Sequence, residues 1–411
     1  MTEHTTHSAP VQTLGRRRGR LPGAIYVLAA GTFLMGTTEF VIAGLLPEFG
    51  ADFHVSAATA GTAITVFAIG MIVGAPAMAL LTLHLPRRLT LVLALAVFAV
   101  GHIVAAITPS FEVLLVARFV TALATGAFWA VAAVVATRLA GPGSASRALG
   151  IVLGGGMLAN VLGVPLGAWA GQLLGWRGPF WALAALAVVA AATVARTIAA
   201  DRPDQAAPSI RAELAGLRSP RLWLVLAICA TVTGGVLSTY SYIAPLIERA
   251  GVPAVWIPFV LLLFGIGAFA GSLLGGRAGD AHPYSTPVVT AAITAVVTIG
   301  LVLGSSVALL TVLLFTILGF AGLSANPVLV SLAVRYGHRA PTLASAMATS
   351  LFNLGTAVGT GVSAAAMGTS LGVLAPPIVA VGFGAIGVVL AGTLAVLERQ
   401  RRSAGRRWRS S

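Results

Sequence analysis

The feature that most restricts the fold of this chain is a succession of long apolar runs with only short polar joints between them. Twelve runs are long enough to cross a hydrocarbon core of about 30 Å at about 1.5 Å per residue. They lie at 22–46, 56–82, 88–107, 111–137, 147–172, 178–198, 221–247, 254–276, 284–304, 307–333, 342–368 and 373–397. The sequence therefore predicts an all-α membrane protein with twelve transmembrane helices.

The composition excludes a soluble protein and a nucleic-acid-binding protein. Of the 411 residues, 58% are hydrophobic and 9% charged, and the mean hydropathy is +0.97. A soluble domain carries about 25% charged residues, because its surface faces water. The net charge of +14 does not indicate a nucleic-acid partner, since such a domain gathers its basic residues on a soluble module, and no polar stretch is long enough to form one.

The arginines predict the orientation in the membrane. All 25 basic residues are arginine, and cytoplasmic loops carry an excess of positive charge. If the N-terminus is cytoplasmic, only Arg177 and Arg249 lie outside and Arg118 lies within a helix. An odd number of helices would break this alternation. We therefore expect a multi-pass protein of the cell membrane with both termini in the cytoplasm.

The helices form two sets of six around a polar segment. The predicted parts are a cytoplasmic basic tail at 1–21, a six-helix bundle at 22–198, a cytoplasmic linker at 199–220, a second bundle at 221–397 and a basic tail at 398–411. The first apolar run is longer than the core of a signal peptide, which spans about 7–15 residues, so we expect it to be retained. The basic tails are predicted to lie near anionic lipid headgroups.

Two charged residues interrupt the apolar helices. Glu39 lies in predicted helix 1 and Arg118 in predicted helix 4, both roughly 10–12 Å below the outer surface. A charge at the centre of a membrane helix costs about 2.5–3.5 kcal/mol and normally marks an ion or substrate pathway. Two interpretations follow. Either Glu39 is a proton site tuned by burial and by Arg118, or the two residues form a static ion pair that fixes helices 1 and 4.

Few other titratable groups compete with Glu39. The remaining candidates in the membrane region are acids at the outer helix ends, predicted to be solvated, and His102, predicted to be interfacial near the outer end of helix 3. The acids are Glu48, Asp52, Glu112 and Glu248. If the protein is coupled to protons, Glu39 is therefore the predicted carrier.

A substrate cavity is expected at the midplane between the two bundles. Aromatic side chains offer apolar area with a polar handle, and buried amides need partners that a ligand can supply. The candidates are Phe67, Phe128, Trp129, Asn160, Tyr240, Tyr242, Asn326, Phe352 and Asn353.

The sequence carries no pattern typical of an enzyme or a cofactor site. A phosphate-binding loop, an HExxH zinc pattern and a Gly-x-Ser-x-Gly nucleophile turn are absent from it. The single cysteine, Cys229, forms no intrachain disulfide and no cysteine metal site. We therefore expect no enzymatic activity, no metal and no cofactor.

Several motifs resemble those of the major facilitator superfamily. Residues 118–126, Arg-Phe-Val-Thr-Ala-Leu-Ala-Thr-Gly, resemble its helix 4 motif, and residues 154–156 and 163–167 resemble the helix 5 motif of its drug:proton antiporter branch. Residues 275–280, Gly-Gly-Arg-Ala-Gly-Asp, are similar to its gating loop, whereas Leu83 stands at the aspartate position of the corresponding loop between helices 2 and 3. The resemblance implies gating roles for Arg87, Arg88, Gly163, Pro165, Gly167, Arg277 and Asp280. For the helix 5 residues, plain helix packing and a seal between the bundles remain equal alternatives.

A closer resemblance concerns the substrate. Residues 36–40 and 44–47 of helix 1, with 242–245, 256–258 and 263–265, resemble actinobacterial chloramphenicol exporters. The resemblance implies a monomeric antiporter for efflux of a small, weakly polar compound, with antibiotic resistance as its phenotype and protons and membrane lipid as its other partners. Sugar or purine nucleoside export is the alternative within the superfamily. A facilitator without coupling and a non-transporting receptor on the same scaffold are further alternatives.

Overall fold

The computed structural model describes residues 21–81, 85–140, 145–199, 217–337 and 341–407. Residues 1–20, 200–216 and 408–411 lie outside the described residues. The predicted N-terminal tail, most of the predicted linker and the end of the C-terminal tail therefore receive no structural account.

Twelve long helices, α1 to α12, make up most of the described chain. The first six are α1 (Gly23–Phe40), α2 (Ala57–Leu81), α3 (Arg87–Ile107), α4 (Phe111–Ala140), α5 (Ala145–Leu158 and Val164–Leu174) and α6 (Arg177–Thr197). The second six are α7 (Pro220–Tyr240), α8 (Ile257–Ala281), α9 (Ser285–Gly304), α10 (Ala308–Gly322 and Asn326–Tyr336), α11 (Pro341–Met367) and α12 (Ala375–Arg407). These bounds agree with the twelve predicted runs to within a few residues at most ends. The exceptions are α1 and α7, which stop at Phe40 and Tyr240, and α8 and α12, which continue to Ala281 and Arg407.

Eleven helical segments of the described chain are long and apolar enough to cross a membrane. The remaining long helix, α11, has 27 residues but carries Thr349, Asn353, Thr356, Thr360 and Ser363 along its length. These polar side chains lower its hydropathy, and most of them are buried against neighbouring helices. The predicted fold class, twelve transmembrane helices in two six-helix bundles, is confirmed.

The packing pattern repeats after six helices. In the first bundle α1 packs on α5, α2 on α4, and α3 on both α4 and α6. In the second bundle α7 packs on α11, α8 on α10, and α9 on both α10 and α12. The bundles meet through α2 with α11 and through α5 with α8. These two contacts are equivalent, because α2 corresponds to α8 and α5 corresponds to α11 when the two bundles are compared. Such internal repeats are typical of secondary transporters.

Three of the helices are interrupted near the middle of the fold. Helix α1 ends at Phe40 and continues as a 3-10 turn, Val41–Gly44. Helix α5 contains a π turn, Ala159–Gly163, shortly before Pro165, whose missing N–H loosens the helical ladder there. Helix α10 breaks between Gly322 and Asn326. Interruptions of this kind free backbone groups and often accompany functional sites.

The two bundles are joined at one end and separate at the other. We call the face where α1 begins and α6 ends the terminal face, and the face where α1 ends and α2 begins the distal face. Toward the distal face, one apolar core contains residues of both bundles, among them Leu45, Ala168, Leu246 and Leu261. Toward the terminal face, each bundle has its own core. The cleft between the bundles is therefore closed distally.

Candidate functional site

Glu39 lies on α1, one residue before the helix changes to a 3-10 turn. Its side chain is half-buried, whereas the side chain of Arg118 on α4 is 1% exposed. The two groups interact electrostatically. No ion pair within 4.0 Å joins them among the residues that the structure describes. The static ion pair considered from the sequence is therefore not formed in this conformation.

Arg118 is held by the residue next to Glu39. Its Nη1 donates to the carbonyl oxygen of Thr38 at 2.9 Å and to the Thr38 hydroxyl oxygen at 2.8 Å. Its guanidinium carbon lies 4.2 Å from the centre of the Phe67 ring, a cation–π contact. Its Nε and Nη2 are buried and have no hydrogen-bond partner within the described chain. A buried guanidinium with unpaired N–H donors is costly, so a nearby carboxylate stabilises it.

The sequence prediction for His102 was wrong. His102 is 1% exposed inside the first bundle, not interfacial. Its Nε2 lies 2.7 Å from the Thr38 hydroxyl and its Nδ1 lies 2.7 Å from the carbonyl oxygen of Phe98. A lone histidine in an apolar run was the available signal, since lipid cannot satisfy its ring nitrogens. Its partner Thr38 carried no signal, because a threonine is unremarkable in a membrane helix.

Aromatic rings close the cleft beside Glu39. Phe40 meets Tyr240 of α7 edge-on, with ring centroids 5.9 Å apart. Tyr240 in turn packs on Phe264 of α8 with centroids 4.3 Å apart. Tyr242 lies against Gly61 of α2, and its hydroxyl donates to the carbonyl oxygen of Thr360 at 3.2 Å. Tyr240 and Tyr242, predicted to bind substrate, are thus buried in the distal closure in this conformation.

The predicted amides lie on three different helices. Asn353 of α11 is 5% exposed, and its Nδ2 donates to the carbonyl oxygen of Thr349 at 3.0 Å. The Oδ1 atoms of Asn353 and of Asn326 are buried without a hydrogen-bond partner in the part of the chain described. Asn160 is half-buried in the π turn of α5. Asn326 and Asn353 therefore keep unused acceptors at the middle of the second bundle.

Three predicted aromatic residues pack within a single bundle. Phe128 is fully buried, and its ring lies against Gly31, so it joins α4 to α1. The predicted contact of Phe128 with a substrate stays a prediction. Trp129 is half-buried with its ring over Gly156 of α5, and Phe352 packs against the core of the second bundle.

Gly155, Gly163 and Gly167 of α5 face α1 and not the second bundle. A Cβ at Gly163 would meet the side chain of Thr37, and one at Gly167 would meet Val41. The same holds for Gly155, which faces Ala29 and Thr32. These contacts favour the packing alternative for Gly163 and Gly167, since small residues allow close helix approach, and their gating role stays a prediction.

The close approach between the bundles lies on α8. A Cβ at Gly265 would meet the backbone carbonyl of Asn160, so only glycine fits there. On the lipid side of the same seam, Pro165 and Trp169 of α5 face Pro258 and Phe259 of α8 across an apolar groove of about 220 Å³. Of the predicted α5 gating residues, only Pro165 lies at this seam.

The predicted gating charges lie at the terminal face. Arg87 and Arg88 begin α3 and are half-buried, and Arg277 near the end of α8 is exposed. The backbone of Asp280 belongs to α8, but its side chain lies outside what the structure describes. The gating roles of these four residues stay predictions.

Two packed six-helix bundles, with a half-buried acid on α1 near a buried arginine on α4, are the layout of a membrane transporter. The sequence profile of the Major Facilitator Superfamily matches residues 28–360. Since this match covers most of the chain, the protein belongs to that superfamily.

Two curated relatives cover nearly the whole chain. The chloramphenicol resistance protein of Streptomyces lividans is 38% identical over 361 residues, which are 87% of this chain and 92% of that one. The inner membrane transport protein YdhP of Escherichia coli K12 is 30% identical over 374 residues, 91% of this chain and 94% of that one.

A solved structure has the same fold. It is a bacterial homologue of the human lysosomal transporter Spinster, crystallised in an inward-facing and unoccupied conformation, and the TM-score is 0.69 at 17% identity. The alignment covers 91% of this chain and 95% of that one. The described relatives and the fold are those of transporters, not of enzymes.

Proposed function

We propose that this protein exports a small, weakly polar compound from the cytoplasm in exchange for protons, and that the compound is chloramphenicol-like. The transporter works as a monomer in the cell membrane and alternates access to a central cleft. Glu39 carries the proton, and Arg118 sets its surroundings. The observation that carries this proposal is a half-buried carboxyl group in the cleft beside a buried arginine that keeps two unpaired donors.

The arrangement supports coupling because Glu39 has two alternative states. A protonated Glu39 needs no partner, whereas an ionised Glu39 is stabilised by the free Nε and Nη2 donors of Arg118. A small movement of α1 or of the Glu39 side chain exchanges one state for the other. Bistable pairs of this kind link a protonation change to a conformational change.

The proposed orientation of the transporter in the membrane depends on where the arginines lie. With the terminal face in the cytoplasm, the arginine-rich ends lie on the side that membrane insertion favours. The closed distal face is then the outer one, and the described conformation is inward-facing. Substrate enters from the cytoplasm in this state, and Glu39 releases its proton to the same side.

The inward movement of one proton provides enough free energy to export one substrate molecule. Each charge that crosses the membrane contributes about 2.3 kcal/mol per 100 mV. A driving force near 150 mV therefore holds a neutral solute at a gradient of roughly 300-fold, since 1.4 kcal/mol is tenfold. One proton per molecule is enough for resistance.

The substrate class rests on one relative and on the cleft. The Streptomyces relative is a chloramphenicol resistance protein that aligns over 92% of its length. Aromatic rings close the cleft distally, and two amides in the middle of the second bundle, Asn326 and Asn353, have buried Oδ1 atoms without a hydrogen-bond partner in the described chain. A neutral compound with an aromatic ring and hydrogen-bond donors fits these residues better than a polycation, because Glu39 is the only acid beside the cleft in the part of the chain that the structure describes.

The test has two parts. A host that expresses the protein is assayed for susceptibility to a panel of amphenicols, sugars and purine nucleoside analogues, and amphenicol resistance is expected. Uptake of radiolabelled chloramphenicol into inverted vesicles is then measured with and without an imposed pH gradient. We expect gradient-dependent uptake that Glu39→Gln abolishes.

The outcomes separate the alternatives. Export of a sugar or a nucleoside without an amphenicol phenotype would contradict the substrate class and leave the coupling intact. Transport that ignores the gradient and survives in Glu39→Gln would indicate a facilitator. Asp52→Asn serves as the control, since Asp52 pairs with Arg177 at the distal face, far from the cleft.

A further inference from the structure

His102 is a buried polar residue that the proposed exchange between Glu39 and Arg118 does not use. Its ring stacks on Phe98, with centroids 4.0 Å apart and planes inclined by 27°, and approaches Phe180 at 5.5 Å. Both ring nitrogens have a partner at 2.7 Å. A ring that is enclosed and bonded in this way cannot exchange protons readily with water, so His102 is not a second carrier.

The partners fix the direction of each hydrogen bond. The carbonyl oxygen of Phe98 only accepts, so Nδ1 of His102 carries a hydrogen and donates to it. Arg118 only donates, so the Thr38 hydroxyl oxygen accepts from Nη1. Among the described contacts the Thr38 hydroxyl hydrogen has no acceptor other than Nε2 of His102, so Nε2 accepts from it. His102 is therefore neutral with its hydrogen on Nδ1.

We infer that His102 is a positioning residue for Arg118, acting through Thr38. This inference rests on the proposed function and adds to it the group that holds the base in place. By accepting from the Thr38 hydroxyl, Nε2 of His102 orients the oxygen lone pairs toward Nη1. The guanidinium is thereby held at Thr38 while Nε and Nη2 stay unpaired. Since Thr38 precedes Glu39 in the chain, this contact sets the base relative to the acid.

Variants separate this role from simple packing. His102→Gln keeps an acceptor oxygen near the position of Nε2, whereas His102→Asn keeps a donor for Phe98 but cannot reach Thr38. Thr38→Val removes the hydroxyl with little change of volume, and Thr38→Ser keeps it. The protein carries a histidine-free affinity tag, and the probe is radiolabelled chloramphenicol in proteoliposomes. Each variant is assayed for uptake driven by a pH gradient and for exchange without a gradient.

We expect His102→Asn and Thr38→Val to lose gradient-driven uptake by about tenfold, the effect of one lost hydrogen bond to a charged group. Exchange without a gradient stays within about twofold of the wild type. His102→Gln and Thr38→Ser keep both activities. Gradient-driven uptake in His102→Asn equal to the wild type would overturn the inference. A parallel loss of both activities would also overturn it, since that is the result of a packing defect.

A spectroscopic measurement tests the inference without any substrate. In protein labelled with ¹⁵N-histidine, the His102 signal is assigned by its loss in His102→Gln. We expect the neutral tautomer with hydrogen on Nδ1, and a shift of Nε2 in Thr38→Val. A doubly protonated ring or the opposite tautomer would overturn the inference. Wild-type protein without gradient-driven uptake refutes the proposed function instead, which keeps the two failures apart.

Discussion

Thr65 of α2 and Thr360 of α11 share a hydrogen bond of 2.6 Å that joins the two bundles near the distal face. The Thr360 hydroxyl donates to the carbonyl oxygen of Thr356 in its own helix, so Thr65 is the donor across the interface. Past the midpoints of both helices, toward the terminal face, Ser350 of α11 donates to the carbonyl oxygen of Ile72 of α2 at 2.7 Å. We expect the Thr65 contact to break when the distal side opens.

Loss of the Thr65 contact is expected to open the distal side. Thr65→Val removes a hydrogen bond worth about 0.5–1.5 kcal/mol, so the ratio of closed to open molecules falls by roughly 2–10-fold. Spin labels at Ala51→Cys and Ser370→Cys, both exposed at the distal face, report the change as a longer distance. The native Cys229 is buried and does not compete for label. Thr62→Val is the control, because Thr62 bonds only within its own helix. An unchanged distance distribution in Thr65→Val would contradict the assignment.

The packing role of the α5 glycines predicts opposite effects at two adjacent positions. Gly155 lies against Ala29 and Thr32 of α1, whereas a Cβ at Gly154 would meet nothing within 4 Å. Gly155→Ala is expected to destabilise the protein by about 1–3 kcal/mol through overpacking. Gly154→Ala is neutral or stabilising by up to about 1 kcal/mol, because alanine favours the helix. Thermal unfolding in detergent measures both, and equal melting temperatures for the two variants would refute the orientation of α5.

Asn353 is expected to lower the stability of the fold and to contribute to substrate binding. Its Oδ1 is buried without a partner in the described chain, and such a group costs about 1–3 kcal/mol. Asn353→Leu therefore raises the melting temperature while it raises KM for the transported compound by about tenfold. Melting curves and concentration-dependent uptake test the pair of effects. A variant that is less stable and binds normally would show that Asn353 serves the fold alone.

Two neighbouring acids at the distal face, the half-buried Glu48 and the exposed Glu248, predict a pH effect on stability. Burial raises the pKa of Glu48 above its ordinary value of 4.5, and the nearby Glu248 adds to the rise. The two lie on facing short helices, Leu46–Phe53 and Ile243–Arg249, that pack together across the bundles. A carboxyl whose pKa is raised by folding destabilises the folded state as pH rises above 4.5.

Glu48→Gln is therefore expected to be more stable than the wild type at neutral pH and equal to it near pH 4.5. Glu248→Gln gives a smaller gain, since Glu248 is the smaller cause. Melting temperatures of the three proteins between pH 4.5 and 7.5 are the measurement. A gain that is independent of pH, or a loss at neutral pH, would count against the pair.

Length and hydropathy were enough to predict the twelve helices and the shared depth of Glu39 and Arg118. They could not give the direction in which a side chain points. A membrane helix is apolar on its lipid face as well as on its packed face, so no amphipathic stripe marks the interior. For this reason the sequence could not show that the ring of Phe128 lies against Gly31, or that Gly163 and Gly167 face α1. The contact between Arg118 and Thr38 could not be predicted from the sequence either, because it depends on how α1 and α4 pack.

The central claim is that the carboxyl group of Glu39 gives up a proton when substrate binds. Purified protein in weakly buffered detergent solution, mixed with the exported compound and a pH indicator, measures this directly. The account predicts release of about one proton per bound substrate from the wild type, and none from Glu39→Gln, which still binds the compound. Equal proton release from both proteins, or substrate binding by the wild type without release, would contradict it.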